Sequence, residues 1–552
     1  MRHGGRILAD QLALHGVRRV FSVPGESFLA LLDGLHDSAI ANIVCRHEGG
    51  AAMMAEATAK LTGAPGVCLV TRGPGATNAS AGIHVARQDS TAMILLVGQI
   101  ETVHRDREAF QEVDYRAVFG GLAKWVAEID STERIPEYIA RAFRVATSGR
   151  PGPVVLALPE DMLAARADVP DRHGPLPEAR PDLAPAARAV RDLLAAAARP
   201  MIIAGGPHWS DKAARDLGHV ASSWSIPVAL GFRRQDYLDN RHPGYAGDLN
   251  VGVNPRLAAR LRDADTLVVI GSRLGDVETQ GYTLLSPAAH GKRLIHVHPD
   301  PDEPGRVWAT DLAVSARAPD FVAALAALEQ PGPGWPDWTA AARADYDAWR
   351  SPVATPGAVR QEEVIAWLSA NLPEDAIITN GAGNYAAWLH RYFVYKRHGT
   401  QLAPTSGSMG YGFPAAIAAS LEHPGQTVVC LAGDGCFQMT LNEMSTAIQH
   451  GAHPIVIVVN NGRYGTIRMH QERHYPGRVS GTMLANPDFA ALARAYGGHG
   501  ETVRDGAAFP EAFARARDAG RPAVIDLVVD PEALATGLTL SAARAAGLAA
   551  QA

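Results

Sequence analysis

Gly433-Asp434-Gly435 and Asn460-Asn461 are the residues whose types and spacing promise chemistry. Asp434 follows an apolar run at 427–431 and Asn461 follows another at 455–459. The two lie 27 residues apart, room for a helix and a crossover back to a neighbouring strand. Strand ends set side by side in this way bring a carboxylate and an amide oxygen together. Both are hard ligands, suited to Mg²⁺ or Ca²⁺, and Mg²⁺ commonly completes its octahedron with phosphates and water. Each half alone reads more readily as a turn, since Gly-Asp-Gly and Asn-Asn-Gly are common punctuation between elements. Together, with strands and helix in the right order, they point to a site for a metal diphosphate.

The elements that must position these residues are legible in outline. Short β-rich runs at 20–23, 66–70, 92–97 and 153–158 alternate with helix-length stretches, the rhythm of βαβ units on a parallel sheet. A Pro-rich, charged segment at 168–185 breaks it. A second α/β block carries runs at 200–204, 266–270 and 293–297 and ends at QPGPGWPDW, 330–338. A third has buried-strand candidates at 376–379, 427–431, 455–459 and 523–528. The expected fold class is therefore α/β with three domains, at 1–167, 186–330 and 357–535, each a parallel sheet flanked by helices; the Ala-rich tail is unassigned. The first and third blocks share a device, an apolar strand entering a Gly-rich turn: VCLVTRGPGATN and VVCLAGDGCFQM. Such turns face the ligand crevice of an open parallel sheet, so two of them could hold one elongated cofactor.

Composition narrows the class further. The chain has 552 residues, more than one core normally serves, with 47% hydrophobic and 20% charged residues, which excludes a disordered or collagen-like chain. Lys plus Arg number 51 against 57 Asp plus Glu, net −6, so the basic excess that nucleic acid demands is missing. Cys45, Cys68, Cys430 and Cys436 stand far apart with no Cys-x-x-Cys spacing, so neither a zinc site nor a disulfide framework is expected. No apolar run is long enough to span a bilayer and no secretory leader is visible. A cytoplasmic protein is the expectation, with neither nucleic acid nor membrane as partner.

GDGCFQMTLNEMSTAIQHGAHPIVIVVNN resembles the diphosphate and metal motif of thiamine-diphosphate-dependent decarboxylases and carboligases, most of all acetolactate synthase catalytic (large) subunits. The likeness continues through VPGESFLALLDGL, RHEGGAAMMAEATAKLTGAPGVCLVTRGPGATN, AFQEVD, RPGPVVLALPED and GSMGYGFPAA, in collinear order over essentially the whole chain. It implies an N-terminal pyrimidine-binding domain, a central domain and a C-terminal diphosphate-binding domain. Asp434 and Asn461 would give side-chain oxygens to Mg²⁺ and Arg463 its carbonyl. Gly433, Gly435 and Cys436 would meet the diphosphate, with Asn384 and Tyr385 on its other side.

The same resemblance gives Glu48 the catalytic place. A glutamate there hydrogen-bonds N1′ of the aminopyrimidine and promotes its imino tautomer, whose N4′ takes the thiazolium C2 proton, a positioned proton transfer contributing about 10²- to 10⁴-fold. Read alone, Glu48 is equally an acidic residue favoured at a helix N-terminus. Gly407, Ser408 and Met409 match the segment that bends the cofactor into a V, although methionine by itself is more often core filler. Phe110 and Gln111 match substrate-channel positions; as a bare string they are ordinary amphipathic helix. His104 and His470 are lesser polar candidates.

Several positions depart from the family. RHEGGA and TRGPG replace RHEQGA and TSGPG, His470 stands for a tryptophan tied to acceptor choice, and Glu160 for a lysine. Gly247 to Gly252 reads GDLNVG, without the GMHG string associated with FAD, so flavin is left open. The expected activity is decarboxylation of a 2-oxo acid, first of all pyruvate, with carboligation to a second carbonyl. A plain decarboxylase, a 2-hydroxyacyl-CoA lyase and a non-catalytic cofactor-binding subunit are the alternatives. The family arrangement implies a homodimer or homotetramer with each site shared by two chains; any regulatory subunit is undetermined.

Overall fold

The computed structural model describes residues 1–172, 174, 180–287 and 291–551. Part of the segment expected to link the first two domains therefore lies outside the described residues. Three six-stranded sheets, every strand pair parallel, account for the architecture. In the first, the order is Ala41–Val44, Arg19–Ser22, Gly66–Val70, Met93–Gln99, Pro153–Pro159, Trp125–Glu128. In the third it is Gln401–Leu402, Ile377–Asn380, Val428–Gly433, Ile455–Asn460, Ala523–Val528, His499–Val503. Numbered within each sheet, both follow 2-1-3-4-6-5, so the first and third domains repeat one topology. The middle sheet differs: Tyr245–Asp248, Val228–Leu230, Pro200–Ala204, Thr266–Ile270, Arg293–His298, Leu312–Ser315, the order 3-2-1-4-5-6.

The central strands are continuous apolar runs because both faces of a parallel sheet are covered by helices. Met93–Gln99 and Pro153–Pro159 are buried throughout. Helix Pro336–Trp349 continues beyond the Trp-rich boundary and packs on the middle domain, with Tyr346 and Trp335 in its core. The Ala-rich tail forms helix Leu540–Ala549, tied to Gly465–His474 by Arg544, which donates to both carboxylate oxygens of Glu472 at 2.8 Å.

Equivalent helices join the repeated domains. Glu48–Thr62 lies between the second and third strands of its domain in sequence, as Gly412–Glu422 does in the third. These two pack on each other, and one apolar core runs through both domains from Phe21, Met54 and Ile83 to Phe413, Ile417 and Phe437. Where all three domains meet, the buried Asp89 carboxylate takes Lys60 at 3.3 Å from its own domain, Arg234 at 3.1 Å from the middle, and the Thr405 amide at 3.0 Å from the third. Burial would raise the Asp89 carboxyl, but Lys60 and Arg234 outweigh it and hold it below its ordinary value.

Candidate active site

Strand Val428–Gly433 ends in Asp434, and its neighbour Ile455–Asn460 ends in Asn461, side by side as the spacing requires. Asp434 is 3% exposed. Its Oδ1 accepts from the Gly435 amide at 2.8 Å; its Oδ2 accepts from the Gly462 amide and from Asn486 Nδ2, each at 2.8 Å. Burial raises its carboxyl above the ordinary range, partly countered by those donors. Asn461 Oδ1 accepts from the Arg463 amide at 3.1 Å. Arg463 bridges Met483 through the Tyr464 amide and the Gly462 carbonyl, which leaves the Arg463 carbonyl outside that ladder.

A cavity of about 240 Å³ opens over these strand ends, lined by Asn384, Tyr385, Gly407, Met409, Gly433, Asp434, Gly435, Cys436, Asn461 and Arg463 among others. Ten residues singled out from sequence thus share one wall. The donor set fits a metal diphosphate. Arg463 Nε is buried on that wall without a hydrogen-bond partner, a cationic donor suited to a phosphate oxygen. No group of three His, Cys, Asp or Glu side chains is placed to hold a metal ion among the described residues. One carboxylate with neutral oxygens beside it is what Mg²⁺ takes when phosphate and water complete its shell.

The glycines here are demanded by tyrosines. A Cβ on Gly433 would stand 3.0 Å from the Tyr385 ring, and one on Gly435 2.5 Å from that of Tyr464. Cys436 Sγ accepts from the Gly410 amide at 3.1 Å and from the Tyr385 hydroxyl at 3.3 Å, while that hydroxyl accepts from the Gly381 amide at 3.1 Å. Cys436 thereby ties together the three turns at 381–385, 407–410 and 433–436. Gly407 has φ +67°, the left-handed region glycine enters at least cost. Ser408 Oγ donates only to the Met409 carbonyl, at 3.3 Å, and Met409 packs on the third domain's own core. The Asn384 side chain is held by the chain itself, donating to Leu534 O and accepting from Thr466 Oγ1, both at 2.9 Å.

Glu48 opens helix Glu48–Thr62 and is 9% exposed; its Oε2 accepts from Asn78 Nδ2 at 3.0 Å. A Cβ on Gly75 would come 3.2 Å from Glu48 Oε1, so the Gly-Pro-Gly turn sits directly against the carboxylate. Every residue lining the cavity over these strand ends belongs to the third domain. Within one chain, then, Glu48 does not meet it. Phe110 and Gln111 belong to a loop, not a helix: Gln111 has φ +66°, and a Cβ on Gly73 would stand 2.8 Å from Gln111 Cβ. Arg72 Nε donates to Phe110 O at 3.1 Å, while its other nitrogens pair with Glu26 at 3.0 Å and, closely, with Glu160. Of the lesser candidates, His104 pairs with Glu101 at 3.6 Å, and His470 stacks with His474 outside the cavity wall.

Three positioning residues were missed from sequence. Asn486 donates to both Asp434 and Asn460 Oδ1, the latter also at 2.8 Å, and so locks the two strand ends. Asn78 holds Glu48. Glu443, fully buried, accepts from the Arg46 amide at 3.2 Å and the Thr446 hydroxyl at 2.5 Å, beneath the Glu48 helix. A Cβ on Gly50 would strike it at 2.5 Å. Only the strings ATN, NPD and LNE carried them, each ordinary by itself.

Comparison with known proteins agrees with this geometry. Residues 2–118 match the thiamine pyrophosphate enzyme N-terminal TPP binding domain, 187–325 the central domain, and 381–527 the C-terminal TPP binding domain. The chain belongs to the thiamine pyrophosphate enzyme family. Family members of similar sequence include the acetolactate synthase isozyme 2 large subunit of Escherichia coli (strain K12), 31% identical over 91% of each chain. The probable acetolactate synthase large subunit of Methanocaldococcus jannaschii is 32% identical over 96% of this chain and 92% of its own. The mitochondrial acetolactate synthase catalytic subunit of Saccharomyces cerevisiae is 31% identical over 91% of this chain and 77% of its own. Like other members of the thiamine pyrophosphate enzyme family, this chain therefore carries both halves of a cofactor site.

Proposed function

We propose that the protein is a thiamine-diphosphate- and Mg²⁺-dependent carboligase of the acetolactate synthase kind. In this reading it decarboxylates a 2-oxo acid, pyruvate first among them, and joins the remaining two carbons to a second carbonyl. Thiamine diphosphate, when bound, would take up the electron pair left by CO₂ and return it to the second carbonyl. Asp434, Asn461 and the Arg463 carbonyl hold the metal, and Arg463, Gly433, Gly435 and Tyr385 hold the diphosphate. Gly407, Ser408 and Met409 would hold the middle of the cofactor. Glu48 holds a proton at N1′ of the aminopyrimidine, with Asn78 fixing its carboxylate. Phe110 and Gln111 face the reacting carbonyls.

The observation that carries this reading is the separation of the two halves: the diphosphate cavity is built wholly by the third domain, while Glu48 stands apart in the first. One chain supplies both, so two chains facing each other complete a site, and a homodimer is the smallest competent unit. Exposed Phe110, Met439, Ile467 and Met483 are apolar surface suited to that contact. No helix among the described residues is long and apolar enough to cross a membrane, and all four cysteines are free, which supports a reducing, cytoplasmic setting.

The test is release of CO₂ from pyruvate by the purified protein with thiamine diphosphate and Mg²⁺, with acetolactate and acetaldehyde measured together. Acetolactate is the expected product. No CO₂ from any of a panel of 2-oxo acids would overturn the proposal, and acetaldehyde alone would reduce it to a decarboxylase.

A further inference from the structure

We infer that the middle domain is a wedge sealed by its own side chains and takes neither flavin nor another dinucleotide. Its strand order reverses between Pro200–Ala204 and Thr266–Ile270, the point at which open parallel sheets of this order receive dinucleotides. Here the two turns touch. A Cβ on Gly206 would stand 1.8 Å from Gly271 O, and one on Gly271 2.4 Å from Gly205 O, which leaves no slot between them.

Glu278 takes the anion's place. Its carboxylate accepts from Ser272 Oγ at 2.6 Å, the Phe232 amide at 3.0 Å and the Gly275 amide at 3.2 Å. These are the strand-end donors a diphosphate would require, and a second anion brought to them would be repelled. Aromatic rings take the remaining space. Trp209 stacks on Tyr237 with centroids 4.8 Å apart, and both donate to the Gly-Gly turn, Trp209 Nε1 to Gly205 O and the Tyr237 hydroxyl to Gly206 O at 2.8 Å each.

The segment 247–252, where the flavin-associated string would fall, is also spent on the fold. Leu249 is core, and Asn250 Oδ1 accepts from the Arg233 amide at 3.0 Å. The neighbouring cations are engaged: Arg273 with Glu303 at 2.8 Å, and Lys124 with the carbonyls of Val145 and Ser148 at 2.6 Å. The cavity beside Trp209 measures about 120 Å³, half that of the cavity over the third domain's strand ends.

The test uses the full chain charged with thiamine diphosphate and Mg²⁺, incubated with FAD, desalted and read for flavin absorbance per chain. Negligible retention is expected, with no effect of FAD on CO₂ release. Near-stoichiometric yellow protein, or activity that depends on FAD, overturns the inference. Titration by flavin fluorescence then compares the unaltered protein with Glu278→Gln and with Glu278→Gln/Trp209→Ala. A gain in affinity of about tenfold or more in either variant supports closure by these side chains, and the near-isosteric single variant serves if the double fails to fold. No gain in a folded variant overturns that assignment. Absence of CO₂ release with and without flavin counts against the carboligase reading, while the absorbance still decides this one.

Discussion

The first and third domains share one strand order and pack through equivalent helices, yet their third strands end in opposite chemistry. In the third domain the turn is Gly-Asp-Gly: a carboxylate at the strand end, a second oxygen from the next strand, and a buried arginine nitrogen without a partner. In the first the turn is Gly-Pro-Gly, whose Gly75 backs onto a glutamate from the preceding helix. One topology thus offers two places for function, the strand end itself and the helix start beside it. The third domain puts a carboxylate at the first place, Asp434; the first domain puts one at the second, Glu48.

The two carboxylates are expected to fail differently. Glu48→Gln is expected to cut kcat by about 10²- to 10⁴-fold while calorimetry finds cofactor affinity kept; lost binding would merge the two roles. Asp434→Ala is expected to weaken Mg²⁺-dependent cofactor affinity by more than about 100-fold, beyond what loss of an outer-shell partner costs. Unchanged affinity in a titration with and without chelator would move the metal elsewhere. Asp89→Ala leaves Lys60 and Arg234 buried without their shared anion and is expected to cost about 3–5 kcal/mol. Denaturant unfolding would register it, and a loss under 1 kcal/mol would mean that the junction is solvated. Asn486→Ala is expected to reduce metal-dependent affinity by about 10- to 100-fold, and an equal effect on kcat at saturation would make Asn486 more than a brace.

The smallest effect concerns acid. Burial pulls the imidazoles of His208 and His298 in the middle domain down to about 4 and that of His390 in the third to about 3. Unfolding frees each to bind a proton at its ordinary value of 6.5. Between pH 6.5 and about 4 the unfolded chain therefore holds more protons, and stability falls as pH falls. Asp248, raised by burial to about 6, works in the opposite sense between pH 6 and its ordinary 3.8. Melting temperature should decline by several degrees from neutrality to pH 5, and a rise would mean that Asp248 prevails.

Central strands were legible because burial on both faces leaves unbroken apolar runs: 66–70, 200–204, 266–270 and 523–528 have the expected bounds. Edge strands were not. Gln401–Leu402 is too short to show a pattern, as is Val228–Leu230 one place in from its sheet's edge, and His499–Val503 is half polar because it borders solvent. The cavity wall was readable through collinear motifs. Asn486 and Glu443 were hidden because their meaning lies in what they reach across space, 52 residues back to Asp434 and 397 back to Arg46. Cys436 was expected to meet the diphosphate; it lines the cavity, and its sulfur is committed to joining three turns.

The apolar core that runs unbroken from Phe21 to Phe437 bears on how this polypeptide can be divided. A recombinant fragment starting near residue 357 would keep its whole sheet together with Asp434 and Asn461. It would also turn Ala415, Ala419 and Phe413 outward, a greasy wall with nothing to cover it. Such a fragment would precipitate or cling to its own kind, and the missing half supplied as a separate piece would be the natural remedy.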